Sequence, residues 1–229
     1  FGPMDRAMSV VSFRDQHGKN IVSIFHLAVH AVAIYPYSND ISGDWPSATA
    51  KKLKEKINGE FMFLQGAAGD INPWRRGPDA VQEMATGLAD LAAMAYRYSA
   101  KLSISPWQTF QRKTGLPTSE RGESRTGLTK IDAEVQVLAL GPLAIVALPG
   151  EPLTSLADEI RKSSPFPQTL VLGYSNGNGV HYVCMPDEKP HGGYEVEEGT
   201  SGREDAGLEL VEVAKNLLIE AKENRQKEK

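Results

Sequence analysis

Apolar and polar positions change period several times along the chain, and those changes outline its elements. Residues 7–13 and 21–30 are rich in β-formers and flank Asp15-Gln16-His17-Gly18-Lys19-Asn20, a turn-forming cluster, which predicts a β-hairpin. Ser47 reads as an N-cap for a helix over 48–57, closed by Asn58-Gly59 and followed by a short buried strand at 61–65. Val81, Met84, Leu88, Leu91 and Tyr96 recur at helical spacing after Pro78-Asp79, so an amphipathic helix is expected to run to about residue 99, its stripe serving as ordinary core.

Residues 103–129 mix Pro, Gly, Ser, Thr and charge without a period and read as a loop or lid-like excursion. Segments 134–140 and 143–148, joined by Gly141-Pro142, predict a second hairpin ending in Pro149-Gly150-Glu151. A helix over 153–162 stops before Pro165, and 169–174 reads as another buried strand. From there to Gly202 the chain is loop-like and dense in Gly, His and Tyr, where function tends to sit. A helix over 208–223 trails into a mixed-charge, flexible tail over about 222–229. Strands joined by hairpins and interspersed with helices predict a mixed α/β layer fold, α+β in character, with mixed sheets.

Composition narrows the partners. With 229 residues and 41% apolar content the chain can build a sizeable core, while a net charge of −4 offers no basic field for nucleic acid. Apolar runs stay far short of the roughly 20 residues of a membrane span, so no transmembrane segment is expected. Cys184 is the single cysteine; an internal disulfide is excluded, and a buried thiol is a better expectation for it than a nucleophile. The opening residues carry no signal-like stretch and lead almost at once into a strand, as expected of a fragment cut within a domain.

Three candidate groups follow strand ends: His30, Asp70 and Glu151. Glu151 has two readings, a carboxylate favoured by the dipole of the helix that follows or a functional group. His26 and His30 lie in a strand pattern, where four residues span roughly 13 Å, so at most one binds a given metal; a core position is the other reading of His30. Gly66-Ala67-Ala68-Gly69-Asp70-Ile71-Asn72-Pro73 lacks the Gly-Lys-Ser/Thr of a phosphate loop, Gly177-Asn178-Gly179 lacks the dinucleotide fingerprint, and no Gly-x-Ser-x-Gly elbow occurs.

In order and spacing these pieces resemble the neutral/alkaline ceramidase family over nearly the whole chain. Phe25 to His30 followed by Ile41-Ser42-Gly43-Asp44 resembles that family's strand ending in a zinc-binding histidine and its Ser-Gly-Asp turn. Gln65 to Pro73 is similar to its Gly-Asp-x-Ser-Pro loop, and Ala147-Leu148-Pro149-Gly150-Glu151 to its Pro-Gly-Glu segment. His181-Tyr182 and, twelve residues after Tyr182, Tyr194-Glu195 resemble its His-Tyr and Tyr-Glu pair.

The resemblance implies that the whole chain, 1–229, is the C-terminal part of one catalytic domain, whose earlier His-x-His segment would supply the missing ligand and general base. It implies Zn²⁺ held by His30, Glu151 and Tyr182, with Tyr194 on the scissile carbonyl, and hydrolysis of an N-acyl sphingosine or related lipid amide by zinc-bound water. A secreted or periplasmic location is likewise implied. Asn72 stands where the family has serine, and Cys184-Met185-Pro186 replaces its Thr-Thr motif. Asn72 is then expected to orient substrate, and two alternatives stay open: a metallohydrolase of a small polar amide or ester, and a non-catalytic homologue.

Overall fold

The computed structural model describes residue 2 and residues 4–227, without the side chains beyond residue 224. It is a mixed α/β fold that divides into two compact units, one made of Asp5–Gln65 and Ile71–Lys101, the other of the described residues up to Met4, Gly66–Asp70 and the described residues from Leu102 on.

The first unit holds β1 (Ser9–Arg14), β2 (Asn20–Leu27), α1 (Asp44–Lys56), β3 (Glu60–Gln65) and α2 (Pro78–Arg97). The expected hairpin is present: β1 pairs antiparallel with β2 around the turn at Gly18, and Asp15 Oδ1 accepts from the amides of His17 and Lys19. β3 pairs parallel with β2, so β2-α1-β3 is a crossover unit. Trp45 and Leu53 of α1 and Val81, Ala89, Ala92 and Ala93 of α2 share a core with Phe25 and Leu27 of β2. The apolar stripe of α2 differs from the expected one, since its buried positions are largely alanines while Leu91 is half exposed. Small side chains let a helix approach its neighbours closely.

Helix α1 begins earlier than expected. Ser47 is not its N-cap; Gly43 is, and the Ser47 amide donates to the Gly43 carbonyl at 3.0 Å inside the first turn. A Cβ on Gly43 would lie 2.5 Å from that of Ser47, so the turn before the helix requires glycine.

The second unit holds β4 (Trp107–Pro117), α3 (Glu120–Thr126), β5 (Lys130–Leu140), β6 (Leu143–Ala147), β7 (Glu151–Pro152), α4 (Thr154–Ser163), β8 (Gln168–Leu172), β9 (Tyr182–Val183), α5 (Tyr194–Glu197) and α6 (Ala206–Lys227). Its main sheet runs β4-β5-β6-β8, antiparallel up to β6 and parallel between β6 and β8. Val135, Val137 and Ala139 of β5 face one core with Leu156 and Ile160 of α4 and Leu210, Ala214, Leu217 and Leu218 of α6.

Three expectations are corrected here. Residues 103–129 are not a loop: β4 pairs with β5 along its whole length, and α3 is capped by the Ser119 hydroxyl, which accepts from the Gly122 amide at 3.1 Å. The stretch between β8 and Gly202 is not all loop, since it contains β9, a 3-10 turn at Lys189–His191 and α5. Residues 222–227, expected as tail, continue α6, and 228–229 lie outside the described residues. Among the described residues no helix is long and apolar enough to cross a membrane.

Candidate active site

In the second unit, three chain segments converge on Glu151. Gly150 turns the chain out of Pro149 at φ 68°, and a Cβ there would stand 2.4 Å from the His181 carbonyl oxygen. Glycine is therefore demanded twice, by torsion and by space. Glu151 and Tyr182 are register partners of the parallel pair β7 and β9, and the Glu151 amide donates to the His181 carbonyl at 2.8 Å. Equivalent positions on adjacent strands point to the same face, which places a carboxylate beside a phenol.

Tyr182 responds to that neighbour. Burial, then the negative charge of Glu151 and a hydrogen bond to it, push the phenol up to about 12. The Tyr194 ring stands edge-on to that of Tyr182, with centroids 5.8 Å apart and planes at 78°. Gly199 makes room for both: a Cβ there would meet Tyr182 Cδ2 at 2.6 Å and Tyr194 Cε1 at 3.0 Å. Tyr194 itself is exposed, at the start of the single-turn helix α5.

A third phenol, which the sequence reading passed over, completes the cluster. Tyr174 Oη donates to Glu151 Oε2 at 2.5 Å, and burial followed by the Glu151 carboxylate raises its pKa further than that of Tyr182. Tyr174 follows β8 at φ 53°; with Asn176 and His181 it makes three of the four described non-glycine residues at positive φ. Such torsions cost about 1–3 kcal/mol each and cluster where the surroundings enforce them. The signal available in sequence was a tyrosine at the end of a buried strand, just before Ser175-Asn176-Gly177-Asn178-Gly179. Gly150, Glu151, Tyr174, Gly177, Asn178 and His181 line a hollow of about 130 Å³.

Glu151 lies two residues before Leu153, the N-cap of helix α4. Helix α4 has no acid in its own first turn; the carboxylate at its N-terminus is that of Asp70, whose Oδ1 accepts from both the amide and the hydroxyl of Thr154 at 2.9 Å. Gly69 before it is forced by contact, because a Cβ would lie 2.6 Å from the Glu151 carbonyl oxygen. The Gly-Asp pair thus positions backbone.

His30 and Asn72 belong to the first unit. His30 is buried three residues past β2, its amide donating to the Ile71 carbonyl at 2.9 Å and its carbonyl accepting from Trp45 Nε1 at 3.0 Å. Nearby, Asp44 is buried at φ 48°, and its carboxylate accepts from the amides of Ile34 and Trp45, which ties the Ser-Gly-Asp turn to the His30 loop. His26 is buried within β2. Asn72 is exposed, and its Oδ1 accepts from Arg76 Nη2 at 3.3 Å. Cys184 is a buried thiol, pushed up by burial and by Glu188, as expected of a cysteine that is not a nucleophile. Among the described residues no three His, Cys, Asp or Glu side chains gather as a metal-binding group; the ligand set that the resemblance implies differs in including a phenol.

No family model and no curated protein matches the chain. Solved structures do. Neutral ceramidase from Pseudomonas aeruginosa matches with a TM-score of 0.81 at 16% identity, over 96% of this chain and 47% of that one. A ceramidase complexed with C2 matches with a TM-score of 0.82 at 15% identity, over 96% and 48%. This chain spans about half the length of those proteins, and its fold is that of the corresponding part of neutral ceramidase.

Proposed function

We propose that the protein is a zinc-dependent, ceramidase-like hydrolase of a linear amide bond, acting on an N-acyl sphingosine or a related N-acyl lipid, and that the chain is part of its catalytic domain. The observation that carries this reading is the Glu151, Tyr182 and Tyr194 cluster, three residues that match the family's motifs and meet across β7, β9 and α5. The shared fold supports it.

The donors fit a divalent cation. A carboxylate and a phenol on neighbouring strands offer hard oxygen donors, and an imidazole completes a set that Zn²⁺ accepts. The same carboxylate that holds the proton on Tyr182 would share its charge with a cation. His30, Glu151 and Tyr182 are the proposed ligands. Bound zinc supplies Lewis-acid polarisation of the amide carbonyl and a water of lowered pKa.

The remaining steps belong to the chain. Tyr194, exposed and braced against Tyr182, donates its hydroxyl to the scissile carbonyl oxygen as negative charge develops there. Asn72, exposed beside Arg76, orients substrate through its amide. A second reading has a small polar amide or ester as substrate, bound at the hollow of about 130 Å³ beside Glu151. Asn72 at the family's serine position favours a third, a homologue without catalysis.

Hydrolysis of N-acyl sphingosines and of short N-acyl amides by the intact protein separates these readings. Turnover of the lipid amide that a chelator abolishes and added zinc restores is the expected result. Turnover of the short amides alone supports the second reading, and a zinc-loaded protein inert toward both supports the third.

A further inference from the structure

We infer that Tyr174 is a positioning residue for the Glu151 carboxylate, fixing its orientation toward the metal; this rests on the reading of Glu151 as a zinc ligand. Glu151 Oε2 accepts the Tyr174 hydroxyl at 2.5 Å, within the range of short hydrogen bonds to a charged acceptor.

The two residues are built on one frame. The Tyr174 amide donates to the Gly150 carbonyl at 2.8 Å and the Ser175 amide to the Leu148 carbonyl at 2.9 Å, so the chain carrying Tyr174 is fastened to the chain from which Glu151 projects. Gly173 seals the contact from behind, since a Cβ there would meet Pro152 Cδ at 3.0 Å and the Gly66 carbonyl oxygen at 3.3 Å. That backbone is clamped with Tyr174 at φ 53°, and from there its hydroxyl reaches Glu151 Oε2. A bulky aromatic residue does not adopt this torsion by preference; the surroundings impose it.

The hydrogen bond from Tyr174 commits Oε2 of a carboxylate that Tyr182 also hydrogen-bonds, and so restricts its plane. Ligating carboxylates and imidazoles are commonly oriented in this way, and loss of such a partner lowers metal affinity by about 10–100-fold. Tyr174 differs from Tyr182 and Tyr194 in its role: it acts through Glu151.

The test is Tyr174→Phe in the intact protein, with zinc affinity read by chelator competition and the absorption spectrum of the cobalt-substituted protein read alongside. Tyr174 is half exposed, so phenylalanine is accommodated; Tyr174→Leu, which also offers no hydrogen-bond donor, is the second variant should the first not fold. The expected result is zinc binding by the wild type, a loss of about tenfold or more in both variants, and a shifted cobalt spectrum, with the melting temperature of the metal-free protein little changed. Wild-type affinity and an unshifted spectrum in a folded variant overturn the inference alone. A wild-type protein that binds no zinc overturns the reading of Glu151 and the inference with it.

Discussion

The indole of Trp45 donates its Nε1 hydrogen to the carbonyl of His30 at 3.0 Å, and Trp45 is wholly buried. The first residue-length of helix α1 thereby sets the position of the histidine that follows β2. The Ile71 carbonyl holds the preceding peptide unit through the His30 amide. Trp45→Phe keeps the aromatic packing on Phe63 and removes the indole donor to the His30 carbonyl, at a cost of about 0.5–1.5 kcal/mol. Urea unfolding of the metal-free protein checks the size; an unchanged midpoint would show that the bond contributes nothing.

Gly199→Ala addresses the tyrosine pair. Its Cβ would intrude on the Tyr182 and Tyr194 rings, and overpacking of this kind costs about 1–3 kcal/mol. The near-ultraviolet circular dichroism of the tyrosines is expected to change together with the melting temperature. A stable variant with an unaltered tyrosine spectrum would mean that the rings are not locked as the structure has them.

Asp70→Ala removes the acceptor for both the amide and the hydroxyl of Thr154. A lost helix cap of this kind costs about 0.5–2 kcal/mol. In a double-mutant cycle with Thr154→Val the two changes are expected to be less than additive, and strict additivity would deny the contact.

The phenols near Glu151 make stability depend on alkaline pH. Tyr182 is pushed up to about 12 from an ordinary value of 10, and Tyr174 is shifted in the same direction. Between those values the unfolded chain has given up a proton that the folded chain retains. The stabilisation is therefore complete below about pH 10 and lost as pH rises toward 12. Melting temperatures of the metal-free protein over pH 9–12 are expected to fall less steeply in Tyr182→Phe than in the wild type; parallel curves would contradict the shift.

Much of this architecture is legible in sequence because the strands announce themselves. Both hairpins carry clear turn residues, and Val135, Val137 and Ala139 alternate inward as the pattern predicts. β4 was hidden for a physical reason. It is an edge strand in which Trp107 is exposed and Gln108 half-buried, so its residue types do not mark a buried face, and Gly115 and Pro117 look like breakers although an edge tolerates them. Glu151, Tyr182 and Tyr194 were found through motif order, and the structure brings these three together. Tyr174 escaped because its part depends on a positive φ that no residue type signals and on contacts between segments separated by more than twenty residues. Asp70, one of three strand-end candidates in sequence, turned out to cap a helix.

The central claim is that Glu151 and Tyr182 bind zinc, and the metal content of the intact protein tests it most directly. Mass-spectrometric metal analysis after dialysis is expected to give about one zinc per wild-type chain, with a marked loss in Glu151→Gln and in Tyr182→Phe. A wild-type protein without stoichiometric zinc, or the same zinc content in both variants as in the wild type, would contradict it.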